Sequence, residues 1–469
     1  MDGRAIWGEL REEILEQITP GDAERRSVEK FCARTERELT ARLRRASLEA
    51  VAEVHGSAGR GTWLRGDRDI DVFIVLDPGY GRAVLPRVLD VVKEYVGEGW
   101  VEAYAEHPYI RAVVEDFDVE FVPCFRVDPR EGLISATDRT PLHTWFMEEH
   151  LTPEGRSEVR LLKRFMRGVG VYGADVKVGG FSGYLCELLV VHFGCFEDVL
   201  SAASGWKRGE VIDITGGADP DKLRKQFKDP LIVVDPVDPD RNVASAVSDT
   251  ALWTFAAAAR AFLKEPAEGF FYPEEAVVDA SALLDALDRR DSNLLFVVVQ
   301  DEDVDVPDIL WGQLYKAERV IANLLAERKF RVIRSAAWSD EASKHILVFE
   351  LESATIPGVE RQMGPPVEMA ESSERFLKAH LGAYSTVSGP WIEGRRWWAE
   401  TRRRQTDASL VLTDALRDGG RGVGVPRRLS RKIAQGYEIL VDGEVSRYLQ
   451  GGFARFLNGF LKGRPDWLV

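Results

Sequence analysis

The stretch from Val54 to Val75 constrains the fold most. It reads Val54-His55-Gly56-Ser57-Ala58-Gly59-Arg60-Gly61-Thr62-Trp63 and, after a short charged link, Asp69-Ile70-Asp71-Val72-Phe73-Ile74-Val75. Residues i and i+2 of a strand project from one face, so Asp69 and Asp71 stand side by side while Ile70 and Val72 enter a core. Adjacent anions repel. Such a pair is tolerable when a divalent cation sits between them, and hard oxygen ligands of this type suit Mg²⁺ that also contacts phosphates. Upstream, Gly56-Ser57 at the end of an apolar run lets backbone N–H groups and a hydroxyl approach a phosphate, with Arg60 a turn further on. A two-metal arrangement needs a third carboxylate. In Asp116-Phe117-Asp118-Val119-Glu120-Phe121-Val122-Pro123, Asp118 and Glu120 alternate with apolar residues and face one side of a strand, Glu120 being the better placed. A lone Asp-x-Asp is usually a solvated strand face, and a lone Gly-Ser says less. Their order and spacing together define one site.

At 469 residues the chain has room for roughly three domains of about 150 residues. Residues 8–46 read as helical around a Pro20-Gly21 break, and short β-rich runs follow at 51–54, 70–76 and 119–125. Helices at 159–168, 184–193 and 246–263 enclose a turn-rich insertion. After Pro266 the pattern is helix 276–287, strand 294–299, helix 309–328 and strands 330–335 and 346–351. The expected class is α+β, with boundaries at 1–141 (mixed sheet with helices), 142–265 (helical), 266–375 (an αβαββ unit) and 376–469 (a tail).

Spanning a bilayer takes about 20 predominantly apolar residues, and no segment offers them. Early Glu9, Glu12, Glu13 and Glu16 do not suit a signal peptide, so a cytoplasmic protein is expected. Cys32, Cys124, Cys186 and Cys195 have neither CxxC spacing nor a His at zinc-finger distance and read as reduced thiols. The net charge of -15 argues against nucleic-acid binding only if the cations are dispersed. They are not. Arginine outnumbers lysine 47 to 15, and between Trp391 and Lys432 eleven cations face five anions. That segment holds Arg402, Arg403, Arg404, Arg427 and Arg428 with Trp391, Trp397 and Trp398, a footprint for a phosphate backbone, the tryptophans reading as core residues first. Helix 158–168 carries Arg160, Lys163, Arg164 and Arg167 along one face, a stripe suited to phosphates or to solvent.

These residues resemble the nucleotidyltransferase superfamily signature, Gly-Gly/Ser followed by Asp-x-Asp/Glu. Further blocks are similar to the archaeal class I CCA-adding enzymes, the tRNA nucleotidyltransferases: Tyr104-Ala105-Glu106-His107-Pro108-Tyr109, Asp138-Arg139-Thr140-Pro141, Val171-Tyr172-Gly173, Gly180-Phe181-Ser182-Gly183-Tyr184-Leu185-Cys186-Glu187-Leu188, Asp235-Pro236-Val237-Asp238 and Arg241-Asn242-Val243-Ala244. The resemblance implies a nucleotidyltransferase-fold head, a neck, a body and a tRNA-contacting tail. It implies addition of C, C and A to the tRNA 3′ end from CTP and ATP, with Asp69, Asp71 and Glu120 holding two Mg²⁺ ions. Glu120 stands where the family usually has Asp, so its longer side chain must shift the strand or reach the metal differently. Ser57, Arg60, Thr140, His143, Lys163 and Tyr172 would contact the triphosphate, and Arg241 the base. The tail arginines named above would contact tRNA. The expected partners are tRNA, CTP and ATP, with no membrane and a homodimer left open. A poly(A) polymerase or oligoadenylate-type synthetase, or a non-catalytic RNA-binding relative, are the alternatives.

Overall fold

The computed structural model describes residues 3–104, 106–127, 133–274, 278–301 and 306–468. Ala105 of the Tyr104–Tyr109 block and the start of the helix expected from Ala276 lie outside them. The chain forms two compact units, Met1–Glu274 with Pro465–Val469, and Glu275–Arg464.

In the first unit, Pro20-Gly21 separates α1 (Gly3–Ile18) from α2 (Asp22–Arg45), since proline fixes its own φ and offers no N–H to a continuing helix. There follow β1 (Ala50–His55), the short α3 (Gly56–Arg60), β2 (Asp69–Leu76), α4 (Leu85–Val96), β3 (Trp100–Tyr104), β4 (Pro108–Val114) and β5 (Phe117–Phe125). The strands form a mixed sheet ordered β1-β2-β5-β4-β3, with β2 and β5 parallel and the other neighbours antiparallel. β3 and β4 were absent from the sequence reading because exposed residues such as Val101, Tyr104 and Val113 blur their alternation. Ile70, Val72 and Ile74 of β2 and Val119 and Phe121 of β5 are buried with Phe31 and Leu39 of α2 and Val88 and Val92 of α4. That burial fixes the register. A slip of one residue would turn Asp69 and Asp71 into the core and their apolar neighbours out of it.

The same unit continues with α5 (Arg139–His150), α6 (Pro153–Gly168), α7 (Gly183–Phe193) and α8 (Phe196–Ser204). The turn-rich insertion resolves into β6 (Glu210–Ile212), α9 (Pro220–Gln226), β7 (Leu231–Asp235) and β8 (Asp238–Asn242), the strands forming a small sheet ordered β6-β7-β8. Then α10 (Asp249–Lys264) starts at Ser248, whose Oγ accepts from Ala251 N at 3.1 Å and so caps it. Phe165, Phe181, Phe255 and Phe262 anchor this helical core.

The second unit runs α11 (Ala280–Asp288), β9 (Asn293–Gln300), α12 (Pro307–Glu327), β10 (Val332–Ser339), β11 (Lys344–Leu351), β12 (Val359–Pro366), α13 (Ala370–His380), β13 (Thr386–Glu393), β14 (Arg396–Arg402), α14 (Ala408–Leu416), α15 (Arg427–Gln435), β15 (Glu438–Val441) and α16 (Gly451–Lys462). Two antiparallel sheets result, β10-β11-β9-β15 and β12-β14-β13. Residues 376–469 are shared out among these parts. β13 and β14 pair in the second sheet, β15 closes the edge of the first, and Leu412 and Ile433 share a core with Leu347 and Phe349. Trp467 stacks on Phe270 in the first unit.

Candidate active site

The parallel register of β2 and β5 sets Asp71 beside Glu120 and Asp69 beside Asp118. These carboxylates line a cavity of about 370 Å³ together with Arg111 of β4. Glu120 lies across the antiparallel ladder from Arg111, and its Oε1 is 3.0 Å from Arg111 Nε. The longer side chain therefore leaves its strand in register and reaches sideways to a cation. Among the described residues, no three His, Cys, Asp or Glu side chains are grouped to hold a metal.

Burial raises the Asp71 carboxyl above the usual range; Arg60 opposes the rise and Asp69 adds to it. Asp69 is raised by burial, then by Asp67 and Asp118. Glu120 is also raised by burial, against the pull of Arg111 and with the push of Asp71 and Asp69. Asp69, Asp71 and Glu120 are hard oxygen donors of the kind a divalent ion takes, crowded on one sheet face and kept from comfortable ionisation, though as they stand they are not grouped around a common point. Gly56 completes the shape. At φ +63° it sits in the left-handed region, and a Cβ there would come within 1.7 Å of Asp71 Oδ2. Ser57 follows, half-buried in α3.

Arg60, Lys163 and Glu187 form a buried ionic network. Glu187 of α7 is fully enclosed; it accepts from Arg60 Nε at 2.7 Å and from Thr62 Oγ1, and Lys163 Nζ is 3.5 Å away. Burial alone would raise Glu187, but Arg60, Lys163 and the Thr62 hydroxyl hold it below its ordinary value. Lys163 also donates to Thr62 O and Oγ1, both at 3.1 Å, and burial lowers its pKa. Two cations set against one carboxylate leave this cluster net positive. Tyr172 belongs beside it, since a Cβ on Gly183 would lie 3.1 Å from Tyr172 Oη and 3.4 Å from Lys163 Nζ.

A second cluster centres on Asp235, at the end of β7 and fully buried. Its carboxylate accepts from Arg241 Nη1 at 2.6 Å and pairs with His143 Nε2 at 2.9 Å. Burial lowers the His143 pKa, and the bonds to His143 and Arg241 hold Asp235 below the ordinary range despite its own burial. Tyr184 links the clusters. Its ring stacks on His143 at 3.9 Å, Arg60 lies over it at 5.8 Å, and its buried hydroxyl has no hydrogen-bond partner among the described residues. Thr140, half-buried in the first turn of α5, stands three residues before His143.

In the basic stripe of α6, Arg160 and Lys163 are buried, Arg164 is half-buried and Arg167 is exposed. Arg160 donates to Trp63 O at 3.0 Å and to Gly61 O, Lys163 to Thr62, and Arg167 Nη1 to Asp67 at 2.9 Å, while Arg164 lies 4.0 Å over the Tyr272 ring. Arg160, Lys163 and Arg167 clamp the turn between α3 and β2. Sequence reasoning left Thr62, Tyr184, Glu187 and Asp235 without roles. An acid set among apolar residues, as in Tyr184-Leu185-Cys186-Glu187-Leu188, was the available signal for a buried partner.

In the second unit, Arg402 lies 5.6 Å over the exposed Tyr384 ring, Arg403 Nη1 is 2.9 Å from Glu360, and Arg404 is exposed just past β14. Arg427 and Arg428 open α15, apart from that sheet in the chain's architecture. Trp391 and Trp398 are half-buried and flank Arg361, at 5.4 and 4.2 Å from its guanidinium carbon.

A mixed sheet presenting Asp69, Asp71 and Glu120 beside a Gly-Ser turn defines a nucleotidyltransferase, and residues 36–143 match the family described as nucleotidyltransferase domain. Residues 157–272 match the second domain of tRNA nucleotidyltransferase, and 290–442 the C-terminal domain of CCA-adding enzyme. The chain is 38% identical over 463 residues to a CCA-adding enzyme of Methanosarcina acetivorans, covering 97% of this chain and 98% of the relative. The corresponding enzyme of Halobacterium salinarum is 37% identical over 454 residues, 96% of this chain and 97% of the relative. That of Pyrobaculum islandicum is 38% identical over 415 residues, 88% and 94%. The chain belongs to the CCA-adding enzyme family.

Proposed function

We propose that this chain completes the 3′ end of tRNA in the cytoplasm, adding C, C and A without a template from CTP and ATP and releasing pyrophosphate. The observation that carries the reading is the register that sets Asp71 beside Glu120 on one sheet face, next to a net-positive cluster around Arg60. Asp69, Asp71 and Glu120 would hold two Mg²⁺ ions, Glu120 on release from Arg111. When bound, such ions lower the pKa of the attacking ribose hydroxyl and neutralise charge on the transferring and departing phosphates. Ser57, Thr140 and Tyr172 bind the triphosphate. Arg60 and His143 bring charge and hydrogen bonds to it, aligned by Glu187 and Asp235. Lys163 acts from behind, holding Thr62 and Glu187 and adding positive field in a low-dielectric interior. Arg241, steadied by Asp235, faces the base, and Tyr184 offers it a hydroxyl with no partner among the described residues. Residues 1–141 serve as head, 142–265 as neck, 266–375 as body and 376–469 as tail. Body and tail act as functional divisions of one folded unit, since β15 closes the body's sheet. The arginines Arg402, Arg403, Arg404, Arg427 and Arg428 serve the tRNA body.

The test is incubation with tRNA ending before CCA, Mg²⁺, and CTP and ATP separately and together, read at single-nucleotide length. Two additions with CTP and a third that requires ATP are expected. Long A tails would move the enzyme to the poly(A) class, and persistent RNA binding without extension would make it a non-catalytic relative.

A further inference from the structure

A second cavity, of about 470 Å³, opens beside the α3–β2 turn and shares no lining residue with the carboxylate cavity. Arg25, Arg60, Arg156 and Arg160 line it, and the only carboxylate among its lining residues is Glu29. Arg60 gives its Nε to Glu187. The other three have no ion pair among the described residues. Arg25 Nε donates to Pro20 O at 2.9 Å, Arg160 spends itself on the carbonyls of Gly61 and Trp63, and the buried Arg156 Nε has no hydrogen-bond partner among the described residues. Burial pushes the Arg160 pKa down to about 10, and the neighbouring charges of Arg25 and Arg156 push the same way.

Arg160 is buried, Arg156 half-buried and Arg25 exposed, and with Glu29 the one carboxylate lining the cavity, positive charge there outweighs negative; cations withdrawn from water favour a counter-charge. The missing partner is an anion. Guanidinium forks match the tetrahedral oxygens of a phosphate bidentately, which an ammonium does not do. We propose that this cavity is a phosphate-binding site, filled by a backbone phosphodiester of the RNA substrate or by free phosphate. The RNA source rests on the reading of the chain as a tRNA-acting enzyme. Arg160 makes the site consequential, because the carbonyls it holds belong to the turn that follows Ser57 and Arg60. An anion in the cavity offsets the positive charge that Arg25 and Arg156 bring to bear on Arg160.

The full-length protein would be titrated with a tRNA acceptor minihelix lacking CCA, in the absence of CTP and ATP, across a salt series, and separately with inorganic phosphate while Trp63 and thermal stability are followed. If the RNA backbone fills the site, Arg156→Gln and Arg25→Gln each weaken minihelix binding by roughly 3- to 10-fold and reduce the slope of log affinity against log salt by about one. Arg156→Lys, which keeps the charge and loses the fork, recovers the slope but only part of the affinity. If free phosphate fills it, phosphate raises the wild-type Tm and shifts its fluorescence, Arg156→Gln abolishes both responses, and RNA affinity stays put. Wild-type behaviour of both glutamine variants toward RNA and phosphate at every salt concentration overturns the proposal. CCA addition by the same preparations is scored in parallel, so failure of the cavity is distinguishable from failure of the enzymatic reading.

Discussion

Asp71, half-buried at the carboxylate cavity, and Asp235, fully buried, have surroundings that pull in opposite directions. Asp71 is raised, chiefly by burial. Its folded state therefore favours the proton, so its contribution to stability is present below the ordinary Asp pKa and is lost as pH rises through the folded value. Asp235 is lowered and His143 is lowered with it. Their contribution is present above the unfolded pKa values and is lost as pH falls through the folded ones. Asp71→Asn is therefore expected to raise the metal-free Tm at neutral pH and to cut nucleotide incorporation by more than roughly 100-fold, the upper range for losing a mere ligand-orienting group. Mg²⁺ should raise the Tm of the wild type and not of this variant; a variant that melts lower than wild type without metal would show that Asp71 is not held against repulsion. Asp235→Asn has the opposite signature. It should lose stability most from pH 7 upward, flattening the acid limb of the profile, and it frees Arg241, so misincorporation of UTP and GTP should rise relative to CTP and ATP. Unchanged selectivity would separate Arg241 from base reading.

The element that organises these residues is the segment from Gly56 to Trp63, the short α3 and the turn that leaves it. It is held from both ends of the helical layer: α6 reaches it through Arg160 and Lys163, α7 through Glu187. Removing one member of a buried charge cluster strands the others, so Glu187→Ala should cost roughly 3–5 kcal/mol in chemical unfolding. Glu187→Gln keeps the volume and an acceptor for Thr62 or Arg60, and its defect should fall on KM for CTP more than on the fold. Equal loss of stability in both variants would mean that the charge of Glu187, not its hydrogen bonding, shapes the turn. Gly56→Ala tests the turn's geometry from the opposite side. The left-handed φ and the 1.7 Å approach to Asp71 Oδ2 leave a methyl nowhere to go. A displacement of about 1 Å at a reacting centre costs on the order of 100-fold in rate, and the backbone penalty exceeds about 1 kcal/mol. A fully active Gly56→Ala enzyme would show that Asp71 has room to move.

Across the whole molecule, what could be read from the sequence was whatever has a short period. Asp69 to Val72 alternates because Ile70 and Val72 pack against α2 and α4, and the apolar run that follows to Leu76 is buried on both faces, a pattern that marks the two carboxylates in the sequence itself. β3, β4 and the small β6-β7-β8 sheet escaped because exposed positions and brief pairing leave no period to detect. Glu187 and Asp235 escaped for another reason: their meaning lies in partners 127 residues away, at Arg60, and 92 away, at His143. The basic tail was visible as composition, but composition does not say which cations are spent inside the protein. Arg403 and Arg404 make the distinction testable. Arg403, with 17% side-chain exposure, is 2.9 Å from Glu360 on the neighbouring β12, whereas Arg404 is exposed beyond the end of β14. A phosphate contact displaces counterions only if its cation is available to the backbone, so each such residue contributes about one to the salt slope. Arg404→Ala should lower the slope for full-length tRNA by about one and weaken binding uniformly across tRNA species. Arg403→Ala should leave the slope nearly unchanged and instead loosen the β12–β14 edge, seen as faster amide exchange along β12. Equal slope changes for the two would mean that total charge in the segment, rather than the position of each guanidinium, governs how this tail holds RNA.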